Sequence, residues 1–102
     1  MTTRVYYKVH KQGARKILAC CDEEVLGDVF EEGKVSLEVK RSFYGGELID
    51  IDDILQKILG MESANIVGNN IVEFMMGKGL LNRGSTMSID GVRHAQIYFI
   101  PN

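Results

Sequence analysis

The sequence predicts an α+β fold with a mixed, largely antiparallel sheet, and two kinds of pattern support this prediction. Alternating apolar and polar residues at both chain ends, interrupted by glycine-containing turns, predict a β-hairpin at the start and another at the end. Between the hairpins, apolar residues recur at helical spacing. The expected order is β-β-α-β-α-α-β-β, with the helices packed on one face of the sheet. A chain of 102 residues is expected to form a single domain, residues 1–102.

The first half of the chain is predicted to be mainly strand. Residues 5–9 alternate and are rich in valine and tyrosine, and residues 17–21 are their expected hairpin partner. A short helix over residues 22–30 is expected next, because Asp22 can cap it and two glutamates favour its positive end. Residues 34–41 then alternate again and predict a third strand.

Two helices are predicted in the second half. Asp50 opens the first, in which residues 51–59 carry one apolar stripe that Gly60 ends. Ser63 is the expected N-cap of the second helix, residues 64–78, whose wide apolar face predicts extensive burial. Gly79 is expected to terminate that helix.

The second hairpin closes the chain. Residues 87–89 and 92–100 are its two predicted strands. They flank Asp90 and Gly91, the strongest short-range hairpin signal a sequence can carry. Hairpins at both ends therefore favour a sheet in which most neighbouring strands are antiparallel.

Composition is typical of a soluble globular protein. Hydrophobic residues make up 45% of the chain and charged residues 25%. The longest apolar runs are far shorter than the ~20 residues of a membrane span, and the N-terminal residues resemble no export signal. We therefore expect no membrane association and a cytoplasmic location.

The adjacent Cys20 and Cys21 predict two reduced thiols. Neighbouring side chains on a strand point to opposite faces, so a bond between the two would be strained. A zinc site is also disfavoured, because adjacent cysteines lack the two-to-four-residue gap of a zinc knuckle. Gly45 and Gly46 lack the lysine and the wider glycine spacing of a phosphate loop. We predict no metal and no cofactor.

Charge is segregated along the chain although its net value is only −2. Residues 1–21 contain no acid, and residues 22–32 contain six acids and no base. These blocks could be solvated faces that pair with one another in the fold. Alternatively, the basic residues could form a patch for nucleic-acid phosphates. The candidates for such a patch are Arg4, Lys8, Lys11, Arg15 and Lys16, with Tyr6 available for stacking.

Four segments together resemble a known family. They are residues 21–27, 42–48, 64–68 and 94–97, and FYGGE and HAQI within them are the most specific. In this order and spacing the chain resembles, over nearly its whole length, the archaeal domain-of-unknown-function family four hundred and twenty-four. Some relatives in that family resemble fusions to the beta subunit of archaeal translation initiation factor two. The resemblance therefore implies a connection with translation but no activity.

Three polar, glycine-containing segments carry the candidate ligand-binding residues. These are Tyr44, Gly45, Gly46 and Glu47 in the first segment, Ser63 and Asn65 in the second, and His94 and Gln96 in the third. Their amide, hydroxyl and imidazole groups can donate and accept hydrogen bonds, and glycine lets a ligand approach the backbone. The alternatives are a tight turn at the paired glycines, an ordinary helix cap at Ser63, and a solvent-facing strand at His94 and Gln96.

We expect Glu47, Asn65 and His94 to meet on one concave surface. Each offers a polar group within or beside a segment that carries the resemblance, and a core needs none of these groups. On that surface Glu47 and His94 would be weak candidates for a general acid–base pair.

These observations lead to three functional hypotheses. The first is a non-enzymatic binding module associated with translation, which contacts RNA or a translation-factor protein through the basic residues. The second is a small enzyme or polar-ligand-binding protein that uses the FYGGE, SAN and HAQ segments. The third is an assembly subunit whose apolar segment 64–78 is covered by a partner. No pattern indicates an oligomeric state.

Overall fold

A computed structural model describes residues 3–99, and within them the chain forms eight strands and three short helices. The strands are β1 (Arg4–Gln12), β2 (Arg15–Asp22), β3 (Val29–Glu32), β4 (Val35–Glu38), β5 (Glu47–Asp50), β6 (Ser63–Val67), β7 (Met87–Ile89) and β8 (Val92–Tyr98). The helices are α1 (Arg41–Tyr44), α2 (Ile54–Lys57) and α3 (Asn69–Gly77). Single 3₁₀ turns cover Glu23–Val25, Ile51–Asp53 and Arg83–Ser85. The predicted α+β class is confirmed.

Six strands form one mixed sheet in the order β5-β1-β2-β6-β8-β7. Its pairs are antiparallel except for β2 with β6, which run parallel. Strands β3 and β4 form a separate antiparallel hairpin. The sheet is therefore largely antiparallel, as predicted, and both terminal hairpins are present. The predicted end of the last strand at Ile100 lies outside the described residues.

Both faces of the sheet are covered, so the molecule has three layers. On what we call the first face, α2 and α3 pack through Ile54, Ile71 and Met75 against alternate residues of the central strands. The other alternate residues form the second face, which the β3–β4 hairpin and α1 cover through Leu37 and Tyr44. Helices α2 and α3 thus share the first face, whereas α1 and the segment 22–30 pack on the second, so the prediction that all helices lie on one face is wrong.

The predicted helix over residues 64–78 is wrong at its start. Residues 63–67 form β6 between β2 and β8, and the helix begins only at Asn69. A strand buried on both faces shows no alternation, so its apolar run resembles a buried helix in the sequence. Ser63 therefore lies within a strand, 5% exposed, and is not a helix cap.

Two other segments differ from the prediction. The expected helix over 22–30 is a single 3₁₀ turn, Glu23–Val25, followed by β3. The sequence predicts that residues 47–50 lead from a tight turn into the next helix. They instead form β5, which pairs with β1 at the edge of the sheet. Strand β5 pairs with β1, about 40 residues earlier in the chain, so no local pattern marks it. In the segment 22–30 the predicted helix is instead replaced by a local hairpin, in which β3 pairs with β4 across residues 33–34.

Asp22 caps a helix, but not the one that follows it in sequence. Its side chain is 1% exposed. Oδ2 accepts a 2.9 Å hydrogen bond from the Asn70 N–H, and Oδ1 accepts one of 2.9 Å from the Ile71 N–H. These are free N–H groups in the first turn of α3, where the helix end is positive. A buried carboxylate thus joins β2 to α3.

Gly68 makes this capping contact possible. It precedes α3 with φ of +124°, a conformation that side chains rarely adopt. A Cβ at this position would overlap the carboxyl group of Asp22.

Within residues 3–99, the helices lack the length and apolar character needed to cross a lipid bilayer.

Candidate functional site

A cavity of about 310 Å³ lies on the second face of the sheet, beside β6 and β8. The β3–β4 hairpin, α1 and the 3₁₀ turn Arg83–Ser85 complete its walls. Its lining residues are Leu37, Tyr44, Asn65, Ile66, Val67, Ser85, Met87, His94, Ala95 and Gln96. We call it the β6–β8 cavity. It brings together Tyr44, Asn65, His94 and Gln96, four of the eight candidate ligand-binding residues.

Strand register places the polar side chains of this cavity side by side. Asn65 of β6 lies directly opposite Gln96 of β8, and Val67 lies opposite His94. Because side chains alternate along a strand, Asn65, His94 and Gln96 all project from the second face. Directly opposed residues have Cβ atoms about 4.5–5.5 Å apart, so the two carboxamides are neighbours.

His94 carries the feature of the cavity that most needs explanation. Its Nε2 atom is buried and has no hydrogen-bond partner within residues 3–99. Burial lowers the pKa of the imidazole below its ordinary value of 6.5, so the ring is neutral near pH 7. A neutral imidazole nitrogen can donate or accept one hydrogen bond, depending on the tautomer.

Tyr44 and two apolar side chains also line the cavity. Tyr44 is 8% exposed, and burial together with the nearby Cys21 and Cys20 raises the pKa of its phenol to about 12. Leu37 and Met87 line the same cavity. Its lining residues include no Asp, Glu, Lys or Arg, so the cavity is uncharged near neutral pH.

Glu47 lies on the opposite face of the sheet. It pairs with Tyr7 across β5 and β1, and the Tyr7 hydroxyl donates to Glu47 Oε2 over 3.1 Å. Tyr7 packs against the core of the first face. Four strand steps also separate β5 from β8, or roughly 19 Å at about 4.8 Å per step. The predicted convergence of Glu47 with His94 is therefore wrong, and the two form no acid–base pair.

The paired glycines also lie outside the cavity, and the chain itself fills the space they leave. A Cβ on Gly46 would overlap the Tyr7 carbonyl oxygen, because the FYGGE segment packs closely on β1. Lys8 Nζ donates to the Ser42 carbonyl over 2.9 Å, and the His10 ring stacks on Phe43. Gly45 is equally crowded by its own helix, and the buried Ser63 is not among the cavity-lining residues.

Residues 9–100 match a family model described as "Protein of unknown function (DUF424)". The chain belongs to this family. A crystal structure of an uncharacterized conserved protein from Methanopyrus kandleri shares the fold with a TM-score of 0.79. It is 26% identical, and the match covers 97% of this chain and 94% of that one. None of the curated protein sequences matches the chain.

The five basic residues of this DUF424 chain do not form one patch. Register places Arg4, Lys8 and Arg15 on the second face and Lys11 and Lys16 on the first. Arg4 pairs with Glu23 at 3.0 Å, and Arg15 pairs with Glu62 at 3.4 Å. The Arg4–Glu23 pair joins the basic and acidic blocks of the sequence. This pairing favours the interpretation in which the two blocks are solvated faces that pair with one another, rather than a patch for phosphates.

The thiols are placed as the sequence predicts. Cys20 and Cys21 are free and buried, and they point to opposite faces of β2. Burial raises the pKa of the Cys20 thiol well above its ordinary value and that of Cys21 to about 12, so both resist forming a thiolate. Among residues 3–99, no three Cys, His, Asp or Glu side chains group as a metal ion would require.

Sequence reasoning missed six of the ten lining residues, and three of these, Leu37, Ser85 and Met87, lie outside the segments that it singled out. Met87 lies opposite His94 in the second hairpin, so the predicted register of that hairpin carried enough information to find it. Leu37 and Ser85 had no comparable signal. They reach the cavity only because the β3–β4 hairpin and a 3₁₀ turn fold over the sheet.

Proposed function

We propose that this DUF424 chain is a non-enzymatic binding module whose site is the β6–β8 cavity and whose ligand is a small, uncharged polar group. The carboxamides of Asn65 and Gln96, which lie directly opposite each other on the cavity wall, carry the proposal. They place hydrogen-bond donors and acceptors side by side, among apolar lining residues such as Leu37 and Met87.

The composition of the cavity supports an uncharged ligand. An anion or cation placed there would lose its hydration with no opposite charge on the lining to compensate. The carboxamides of Asn65 and Gln96 instead match groups that both donate and accept hydrogen bonds.

Binding rather than catalysis is supported by what surrounds the cavity. A general base or nucleophile must lie within hydrogen-bond reach of the reacting group. His94 lines the cavity, but Glu47, its predicted acid–base partner, lies on the other face of the sheet, and both thiols are held protonated by burial. The lining residues thus give His94 no carboxylate or thiolate partner. The buried reduced thiols also support the cytoplasmic location that we propose.

The proposal is tested by calorimetric titration with a panel of small neutral amides and with matched carboxylates. Neutral amides should bind, and the carboxylates should bind at least tenfold more weakly. Gln96→Ala should weaken binding, whereas Gln56→Ala, an exposed glutamine on α2, should leave it unchanged. Equal affinity for amides and carboxylates, or no loss in Gln96→Ala, would overturn the proposal.

A second candidate function is contact with RNA in translation, as the family resemblance implies. Lys11 and Lys16 are exposed and lie directly opposite each other at the end of the first hairpin. Neither forms an ion pair with any residue in the range 3–99. Like charges in this position repel, and a phosphate between them would remove the repulsion.

Salt dependence tests this second function directly. Binding to a single-stranded RNA should weaken as salt rises, and Lys11→Gln with Lys16→Gln should reduce the salt slope by about 1.4. Lys34→Gln with Lys40→Gln, two exposed lysines elsewhere, is the matched control. If the chain binds no RNA at low salt, a protein partner replaces RNA in this hypothesis.

A further inference from the structure

We infer that the uncharged group bound in the β6–β8 cavity is a nucleobase, with adenine the best match. This inference rests on the proposed function and names its ligand class. Three features of the cavity lead to it: a pair of adjacent carboxamides, aromatic and apolar lining residues, and a volume that suits one base. Each corresponds to one property of a heterocyclic base.

The carboxamide pair matches the edge of the base. Asn65 and Gln96 lie directly opposite each other on β6 and β8. Each carboxamide places one acceptor oxygen beside one donor NH₂ group. This spacing pairs bidentately with adenine, whose N6 amino group donates while the adjacent N7 accepts. A sugar hydroxyl or a simple ketone offers no such fixed pair.

The walls match the faces of the base. Tyr44 is nearly fully buried and lines the cavity together with Leu37 and Met87. Bases stack on aromatic and apolar side chains because their own faces are apolar and polarisable. A methionine thioether adapts to such a flat surface and makes favourable contacts with aromatic rings.

The size of the cavity completes the match. A volume of about 310 Å³ is at the small end for ligand sites and suits one base rather than a whole nucleotide. The sugar would then extend past the exposed Gln96 into solvent.

The test is a calorimetric titration of the whole protein with adenosine, inosine, ribose and benzamide, each added separately. Inosine carries a carbonyl oxygen where adenosine carries the N6 amino group, so it loses one of the two carboxamide bonds. Adenosine should bind, inosine should bind about tenfold more weakly, and ribose should not bind. Gln96→Ala should remove the preference for adenosine over inosine, and Gln56→Ala should keep it.

Free bases and bases in RNA are distinguished by an oligoadenylate. A four-residue oligoadenylate that binds more tightly than adenosine supports an unpaired RNA base as the natural ligand. Equal affinity supports a free base or nucleoside. Inosine binding as tightly as adenosine would overturn the inference.

The failure of this inference differs from a failure of the proposed function. If benzamide binds at the cavity and adenosine does not, the nucleobase is wrong and the neutral-ligand site remains. If no neutral probe binds, both are wrong.

Discussion

At the scale of single residues, Asp22 couples burial, helix capping and pH. Burial raises the pKa of this carboxyl from 3.8 to about 6, although the N–H bonds from Asn70 and Ile71 oppose the shift. The folded state therefore binds the proton more tightly than the unfolded chain does. Its contribution to stability is complete below about pH 4 and is lost as pH rises through about 6.

We predict that the free energy of unfolding of Asp22→Asn depends less on pH than that of the wild type. Between pH 4 and pH 7 the wild type should lose on the order of 2 kcal/mol relative to the variant, because only the wild type must ionise a buried group. Urea unfolding at a series of pH values measures this difference. Asp28→Asn, at an exposed position, is the control. Parallel pH profiles for the wild type and Asp22→Asn would contradict the account.

Removing the carboxyl group should cost more than neutralising it. In Asp22→Ala the N–H groups of Asn70 and Ile71 lose their acceptors at the start of α3. Each unpaired buried donor costs about 1–3 kcal/mol, so for the two donors we predict a loss of roughly 2–6 kcal/mol at pH 5. Urea unfolding checks this value, and a loss below 1 kcal/mol would show that water replaces the cap.

At the scale of secondary-structure elements, Gly68 links β6 to α3. We predict that Gly68→Ala destabilises the fold by on the order of 3 kcal/mol, because a methyl group would meet the Asp22 carboxyl and φ of +124° is strained for alanine. Gly77→Ala is the matched control on the same helix. A Cβ there meets no atom within 4 Å, so the change should be neutral or stabilising by about 0.5 kcal/mol. Equal effects of the two substitutions on urea unfolding would refute this role of Gly68.

The elements that the sequence predicts well are those with local signals. The second hairpin is predicted from its turn residues Asp90 and Gly91, both of which have positive φ in the structure. The first hairpin follows from alternation, and its register pairs Gln12 with Arg15. Gly79 follows α3 as predicted, and its N–H bonds back to the Met76 carbonyl over 3.0 Å.

The elements that the sequence predicts poorly depend on distant partners. Strand β6 is buried on both faces, so its apolar run lacks the alternation that would distinguish it from a helix. Strand β5 has four residues and forms by pairing with β1, about 40 residues away in sequence. Asp22 fits a local cap in sequence, and only the fold shows that it caps α3.

At the scale of the whole molecule, unequal coverage of the two faces creates the candidate site. Helices α2 and α3 cover the first face, whereas a short hairpin and one helical turn cover the second. The β6–β8 cavity lies where that second cover meets the central strands. The position of the cavity depends on which strands are neighbours in the sheet. The order of the polar segments along the chain therefore does not determine it.

The same reasoning explains how much of the site was predictable. Asn65, His94 and Gln96 were named from their chemistry, and the pairing of β6 with β8 brings them together. Glu47 was named for the same reason but lies on β5, at the far edge and on the other face. Residue types thus identify the candidate ligand-binding residues. The order of the strands in the sheet then decides which of these residues lie together in the cavity.

The central claim is that the β6–β8 cavity binds an uncharged polar ligand, and amide NMR mapping tests it most directly. The ¹H–¹⁵N spectrum of the whole protein is recorded while a neutral amide such as benzamide is added. We predict that the shifted signals cluster at 65–67, 85–87 and 94–96, and that the His94 ring signals move with them. Shifts that instead cluster on the first face around Tyr7 and Glu47, or no shifts at any concentration up to the solubility limit, would contradict the account.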